Sequence, residues 1–299
     1  MNALMEKTDV ADGILARREQ LWLLKGARLE ATPARGWQSF FLDLWNAIEA
    51  DGKMRIDETA GEADAETLEI TDGFSVLRID RAFCAAALDA AGELIAENGC
   101  VRVRDGMISL VSNGCARVIA VVDELSTMDP SWLDVAVCAL QWAAWQGASP
   151  ERMRDALARL CMGFGHLEEV GRRGGLRFLD GHAFRTQDDV RMALRWTEGP
   201  AFVVLGGNFV VLDSRLEEAL ISSESTLIHL MSLPRAQRAV LRRRVDVYAV
   251  SSMKAAIVKA LKFSEGETSV LCFPAIGCAE IEAIRIGSEW AKAARAAEG

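Results

Sequence analysis

The chain has 299 residues, half of them apolar and about a quarter charged, which is enough for two domains with cores of their own. Its 34 basic and 43 acidic side chains leave a net charge of −9, which speaks against a non-specific nucleic-acid footprint. Met1 to Asp12 is polar without the apolar core of a signal peptide, and no apolar run is long enough for a membrane span, so a cytoplasmic protein is expected.

Seven cysteines, an odd number without paired spacing, lie mostly in apolar segments and read as reduced, buried thiols. Cys272 and Cys278 lack metal-site spacing, and with three histidines in the chain no metal site is expected. In chain order, Gly13 to Gly26 predicts a short helix ended by its glycine. Arg28 to Pro33 predicts a short strand, then comes a turn at Ala34–Ser39 and an apolar helix over Phe40–Ile48. Strand, turn and helix is the setting of a phosphate-binding loop. Asp51 to Asp72 is acidic and reads as a surface connection with one short strand at Thr67–Ile70. Phe74–Asp80 predicts a strand and Ala82–Ala96 a helix. Cys100–Arg104 and Met107–Val111 predict a hairpin around Asp105-Gly106, with a further strand at Ala116–Val122.

Pro130–Gly147 is apolar on nearly every face and predicts a buried helix. Ser149 is the expected N-cap of the next helix, with Pro150 in its first turn. From Cys161 onward a His in a glycine-rich turn is followed by Glu168 and Glu169, then by a strand from Leu176 ending at Asp180. A polar loop, a helix and a second apolar strand ending in Gly206-Gly207 complete a βαβ unit. Strands at Ser225–Met231, Val245–Val250 and Thr268–Pro274 then alternate with helices at Arg215–Ile221, Pro234–Arg244, Ser251–Lys262 and Ala279–Ala297. That alternation predicts a mostly parallel sheet covered on both faces.

This order, with Gly163-Phe-Gly-His166-Leu167-Glu168-Glu169-Val170 and then Asp180-Gly181-His182-Ala183-Phe184-Arg185, resembles the opening of the C-terminal domain of the Mur ligases. These are ATP-dependent amide ligases of peptidoglycan synthesis, and the glutamate-adding members are the most similar. The family pattern there is G-x-x-H-R-x-E-x-V, then a strand ending in Asp, then Ser-Lys-Ala-Thr-Asn. Leu167 stands for the family's Arg and His182 for its Lys. Leu271-Cys-Phe-Pro274-Ala275 and Arg285-Ile-Gly287-Ser-Glu-Trp290 echo the end of that domain, and the Ser-Phe pair that holds the incoming glutamate falls near Gly277 and Cys278.

The resemblance implies an α/β fold: a shortened Mur-ligase-like central domain over 1–160 and a Rossmann-like C-terminal domain over 161–299. It implies that Ala34-Arg35-Gly36-Trp37-Gln38-Ser39 is a degenerate phosphate loop. Trp37 replaces the Lys that neutralises the phosphates, and Gln38 replaces the hydroxyl that holds Mg²⁺. An unrelated loop before an amphipathic helix is the competing reading. In the family a large block between this loop and the strand ending at Asp80 carries the Mg²⁺-binding Glu, a metal-site His and the carbamylated Lys. Here an acidic connection without His, and with Lys53 as its one Lys, takes its place. Ser131, Trp132 and Val135 fall where the family has His and two Asn. The N-terminal domain that grips the UDP moiety is expected to be missing. Loss of ATP and Mg²⁺ binding is therefore expected.

The candidate site residues are His166, with Glu168 and Glu169, as an acid–base group or a hinge, and Asp180 with His182 as a relay or a polar loop at a strand's carboxyl end. Arg172, Arg173, Arg177 and Arg185 are an anion site or a solvated face, and Arg242, Arg243 and Arg244 a dock for an acidic partner or a helix-end charge cluster. Trp22, Trp37, Trp45, Trp132, Trp142 and Trp145 are expected in a core or on a self-association surface. Two functions lead, ahead of a working glutamate ligase, which would need a Lys, an Mg²⁺-binding Glu and a UDP site that the sequence does not offer. One is a pseudoenzyme acting by self-association or by docking to a partner protein such as a ligase. The other is an amide ligase or transferase subunit using the Asp180–His182 loop.

Overall fold

The structure, a computed structural model, describes residues 29–32, 34, 36–49, 55–59, 66–73, 75–90, 99–125, 132–161, 165–197, 199–208, 211–230, 233–264 and 266–298. The helix expected at Gly13–Gly26, with Trp22, and the loop residue Arg35 lie outside the described residues, as do Gly163 and Phe164. The chain divides into two compact units, residues 1–125 with 129–162, and residues 126–128 with 163–299.

In the first unit β1 (Leu29–Ala31) leads into α1 (Trp37–Ile48). The helix starts three residues before the sequence suggests, because Trp37, Gln38 and Ser39 join its buried side. The acidic connection holds β2 (Ile56–Glu58), a strand that its polar sequence hides. β2 pairs parallel to β1, and the side-chain amide of Asn46 on α1 holds it by accepting from Ile56 N–H at 2.9 Å and donating to Ile56 C=O at 3.0 Å. β3 (Thr67–Thr71) and β4 (Val76–Asp80) add antiparallel, giving the order β2-β1-β3-β4. α2 (Arg81–Ala90) follows directly.

A separate antiparallel sheet comprises β5 (Cys100–Arg104), β6 (Met107–Ser112) and β7 (Cys115–Val121). Both of its turns put two consecutive residues at positive φ, Asp105-Gly106 and Asn113-Gly114, as two-residue hairpins require. α3 (Leu133–Trp145) has twelve of its thirteen residues buried. Trp142, in its last turn, is edge-on to Phe41 at 5.4 Å, to Trp45 at 6.2 Å and to Phe83 at 6.3 Å. Each such pair adds about 0.5–1.5 kcal/mol beyond burial of area. Trp37, Trp45, Trp132, Trp142 and Trp145 are all at most 4% exposed, so these tryptophans form a core and not a surface. Gln141 is the polar exception on α3: it accepts from Val101 N–H at 2.7 Å and so anchors β5. α4 (Pro150–Leu160) begins as expected, with Ser149 accepting from Arg152 N–H and Pro150 in the first turn.

The second unit is one six-stranded sheet, β12-β11-β10-β13-β9-β8. β9 (Leu176–Asp180), β10 (Phe202–Gly207), β11 (Thr226–His229), β12 (Val247–Ala249) and β13 (Thr268–Ile276) are parallel; β8 (Glu168–Arg173) is an antiparallel edge. The central strands are near-continuous apolar runs, as strands buried on both faces must be. Between them lie α5 (Gln187–Arg195), α6 (Ser214–Ser222), α7 (Arg235–Leu241) and α8 (Met253–Phe263), and α9 (Glu280–Glu298) closes the chain. Phe178, Val204, Ile228 and Val270 pack with Ala256, Ile257 and Ala260 of α8 and Trp290 and Ala294 of α9. The alternate side chains point to the other face, where Phe184 meets Trp196 and Phe273 edge-on at 6.1 and 5.9 Å. The expected mostly parallel α/β sheet is therefore what forms. No helix among the described residues is long and apolar enough to cross a membrane.

Candidate functional site

β9 connects to β10 across the place of β13, so the sheet changes winding direction at β10 and β13, and the carboxyl ends of these strands are where an α/β sheet places a site. Asp180 closes β9 and is 4% exposed. His182 follows two residues later and is 8% exposed. Its backbone N–H donates to Asp180 Oδ1 at 3.1 Å, and its Nδ1 lies 2.9 Å from Asp180 Oδ2. The pairing of the two residues foreseen from sequence is thus present in space.

The imidazole is enclosed by glycine backbones. A methyl group on Gly165 would lie 2.4 Å from His182 Nδ1 and Cε1, and one on Gly287 of α9 would lie 2.2 Å from Nδ1. Gly165 is also at φ +86°, which side chains rarely adopt. The ring therefore fills a slot between the turn before β8 and helix α9, and the Asp180 carboxylate fixes its rotation. Gly181 carries the same constraint toward the ring of Phe273, 2.7 Å from its hypothetical Cβ.

The neighbouring strand ends are equally close. Gly206 and Gly207 meet the backbone of β13, with added Cβ atoms 3.0 Å from the Pro274 carbonyl and 2.1 Å from that of Ile276. Here the β10–β13 register shifts between Leu205 and Gly207, and Asn208 N–H donates to Ile276 C=O at 2.8 Å. Pro274 has no N–H to give to a ladder, so the irregularity falls where proline requires it. Cys272, opposite Asp180 in the register, is fully buried. Burial, aided by the Asp180 carboxylate, pushes its thiol well above the usual range. Cys278 is likewise pushed up by burial and then by Glu282. Neither is a thiolate nucleophile at neutral pH.

His166 stands outside this slot, its ring 5.6 Å from Phe184 and edge-on. The next residue, Leu167, is fully buried at φ +63° and donates its N–H to Asp180 C=O at 2.7 Å. Glu168 and Glu169 open strand β8. Glu169 is engaged by Arg172 at 3.0 Å and Arg177 at 2.9 Å, and these hydrogen bonds hold its carboxyl below the usual range. Of the three residues read as an acid–base group or a hinge, Glu168 and Glu169 thus lie on β8, where Glu169 is paired with two arginines.

In the first unit, Gly36 is the N-cap of α1 at φ +58°, with no side chain capping the helix. Trp37, Gln38 and Ser39 are 4%, 1% and 0% exposed. Ser39 Oγ donates to Ala34 C=O at 2.7 Å, closing the turn on itself. Arg81 lies 6.0 Å from the Trp37 ring, and its guanidinium is paired with Asp134 at 3.1 Å. Burial pushes the Asp134 carboxyl up, with Arg81 opposing it.

Gly287 and the glycine packing at His182 are what sequence reasoning missed. A signal existed: a glycine inside a nineteen-residue helix costs about 1 kcal/mol against alanine and asks for a packing reason.

No protein-family description matches the chain, and no curated protein does. Among solved structures it is similar to the UDP-N-acetylmuramate-alanine ligase MurC from Thermotoga maritima, at 14% identity and TM-score 0.31 over 55% of this chain and 38% of that one. It is similar to a pseudomurein peptide ligase type C from Methanothermus fervidus, at 14% identity and TM-score 0.34 over 64% and 41%. It is also similar to E. coli FolC in complex with ADP, at 15% identity and TM-score 0.36 over 66% and 46%. The chain spans about two fifths of the length of these proteins.

Proposed function

We propose that this chain is a Mur-ligase-like protein without ATP-dependent ligase chemistry, a pseudoenzyme that acts by binding another protein. The observation that supports this is the closed first turn of α1. A phosphate loop needs a cation and a hydroxyl facing its ligand. Here Trp37 and Gln38 are buried instead, and the Ser39 hydroxyl is spent on the Ala34 carbonyl. Among the described residues the cation beside the turn is Arg81, which is paired with Asp134. Between α1 and β3 the chain offers only residues 49–66, without a histidine, where the resemblance calls for a metal-binding block.

The alternative, an amide ligase or transferase subunit using Asp180 and His182, has less support. A general acid or base must reach the proton it moves. His182 is instead clamped between two glycine backbones and oriented by Asp180, which suits a brace joining β9 to α9.

Titration calorimetry with Mg²⁺·ATP and a non-hydrolysable analogue tests the reading. No binding heat is expected at millimolar nucleotide. Micromolar binding would overturn it in favour of an unconventional ligase.

A further inference from the structure

The two units differ in charge. Residues 1–162 carry 16 basic and 26 acidic side chains, whereas residues 163–299 carry 18 and 17. Within the second unit the cations are concentrated. Residues 235–263, spanning α7, β12 and α8, contain eight Lys or Arg and a single acid, Asp246. Among the described residues none of these eight forms an ion pair, although Arg172, Arg177, Arg191 and Arg285 elsewhere in the same unit are all paired. Unpaired like charges repel one another, so a cluster kept without counter-charges is not there for stability.

In the chain this cluster brackets a sheet edge. Among the described residues β12 pairs only with β11, and its other side carries no strand of this sheet. In this parallel ladder Asp246 C=O and Val250 N–H bond to β11, so the alternating backbone groups of Val247 and Ala249 are directed to the opposite side. Arg242, Arg243 and Arg244 are exposed just ahead of the strand. Tyr248 stacks on Phe263 of α8 at 5.1 Å with an interplanar angle of 19°. Lys259 Nζ sits 4.0 Å from the Tyr248 ring centroid and 4.7 Å from that of Phe263. Phe263 and Val258 of α8 are exposed, at 41% and 58%.

We infer that the β12 edge is a docking site for an acidic, extended segment of a partner protein, which adds as a strand beside Val247–Ala249 with its carboxylates against the arginines and lysines. Strand addition takes its affinity from main-chain hydrogen bonds and its selectivity from the side chains flanking the edge. A protein segment fits better than a nucleic-acid strand. The two aromatic rings are stacked on each other and capped by Lys259, whereas single-stranded nucleic acid needs open ring faces for its bases. This inference deepens the binding role proposed above and rests on it.

The test is fluorescence polarisation of the full chain with a labelled peptide alternating Glu and Val. Saturable binding that weakens with salt is expected. The triple variant Arg242→Glu, Arg243→Glu, Arg244→Glu should weaken it by about tenfold or more. Ala249→Pro should weaken it several-fold: it removes an outward N–H while the bonds of β12 to β11 stay in place. Circular dichroism would verify that both variants keep their fold. Unchanged affinity in both variants would overturn the inference. So would preferential binding of a single-stranded oligonucleotide, or a dimer of the wild-type chain that the triple variant dissolves. Loss of peptide binding alongside absent nucleotide binding would remove this surface and leave the non-catalytic reading standing; the reverse pattern would do the opposite.

Discussion

Replacing Gly287 by alanine isolates the packing that defines the His182 slot. Alanine is favoured over glycine inside a helix by about 0.8–1 kcal/mol, so propensity alone predicts stabilisation. The new methyl, however, would lie 2.2 Å from His182 Nδ1 and 2.5 Å from Cγ. That is more than about 1 Å inside normal contact. Overpacking of this kind costs about 1–3 kcal/mol. If the ring yields, it leaves the 2.9 Å contact with Asp180, and a buried carboxylate without its partner costs about another 1–3 kcal/mol. Set against the propensity gain, the expected net loss is about 1–5 kcal/mol. In a His182→Ala background the methyl has space, and the same substitution should be neutral or stabilising by up to about 1 kcal/mol. A double-mutant cycle by urea denaturation, with hydrogen exchange in β9 and α9 to assign the transition, reads the coupling directly. A coupling of at least about 2 kcal/mol is expected; additivity within about 0.5 kcal/mol would refute the enclosure of the ring.

Two further outcomes follow from the same geometry. Six of the seven cysteines are buried and Cys115 is exposed, and burial pushes the Cys161 thiol up to about 12; a native titration with an aromatic disulfide should therefore release one thiol quickly and the remaining six only on unfolding, and several fast thiols would contradict the packing. Glu169, whose carboxyl is lowered by Arg172 and then Arg177, contributes stability that is present above its unfolded value near 4.5 and lost as pH falls through its lower folded value. Glu169→Gln should lower stability slightly at neutral pH, by less than about 1 kcal/mol for so exposed a cluster, seen as a small drop in melting temperature that should vanish in acid and shrink in high salt. A difference that persists at low pH would show that the ion pairs are not its source.

The sequence by itself determined the order of elements in the second unit. Runs such as Phe202–Gly207 and residues 270–276 are apolar throughout, the pattern of a short parallel strand buried on both faces. It also placed the Asp105-Gly106 turn and the Ser149 cap, which depend on local backbone chemistry. It joined Asp180 to His182, because two residues at a strand's end are neighbours whatever the fold does. Strands β2 and β8 were not legible. Their residues are polar and charged, and each is a strand only because a distant segment offers a ladder: Leu29–Ala31 for one and Leu176–Asp180 for the other. The role of Gly287 was hidden for the same reason, since its lack of a side chain acquires meaning only when α9 is laid across His182, more than a hundred residues earlier in the chain. Whether the five described tryptophans of the first unit line a surface or a core was likewise decided by α3 packing among α1, α2 and β5. Side-chain type and local spacing fix what a segment can form; which of its faces is covered, and by what, is set by contacts between segments that the order of residues does not record.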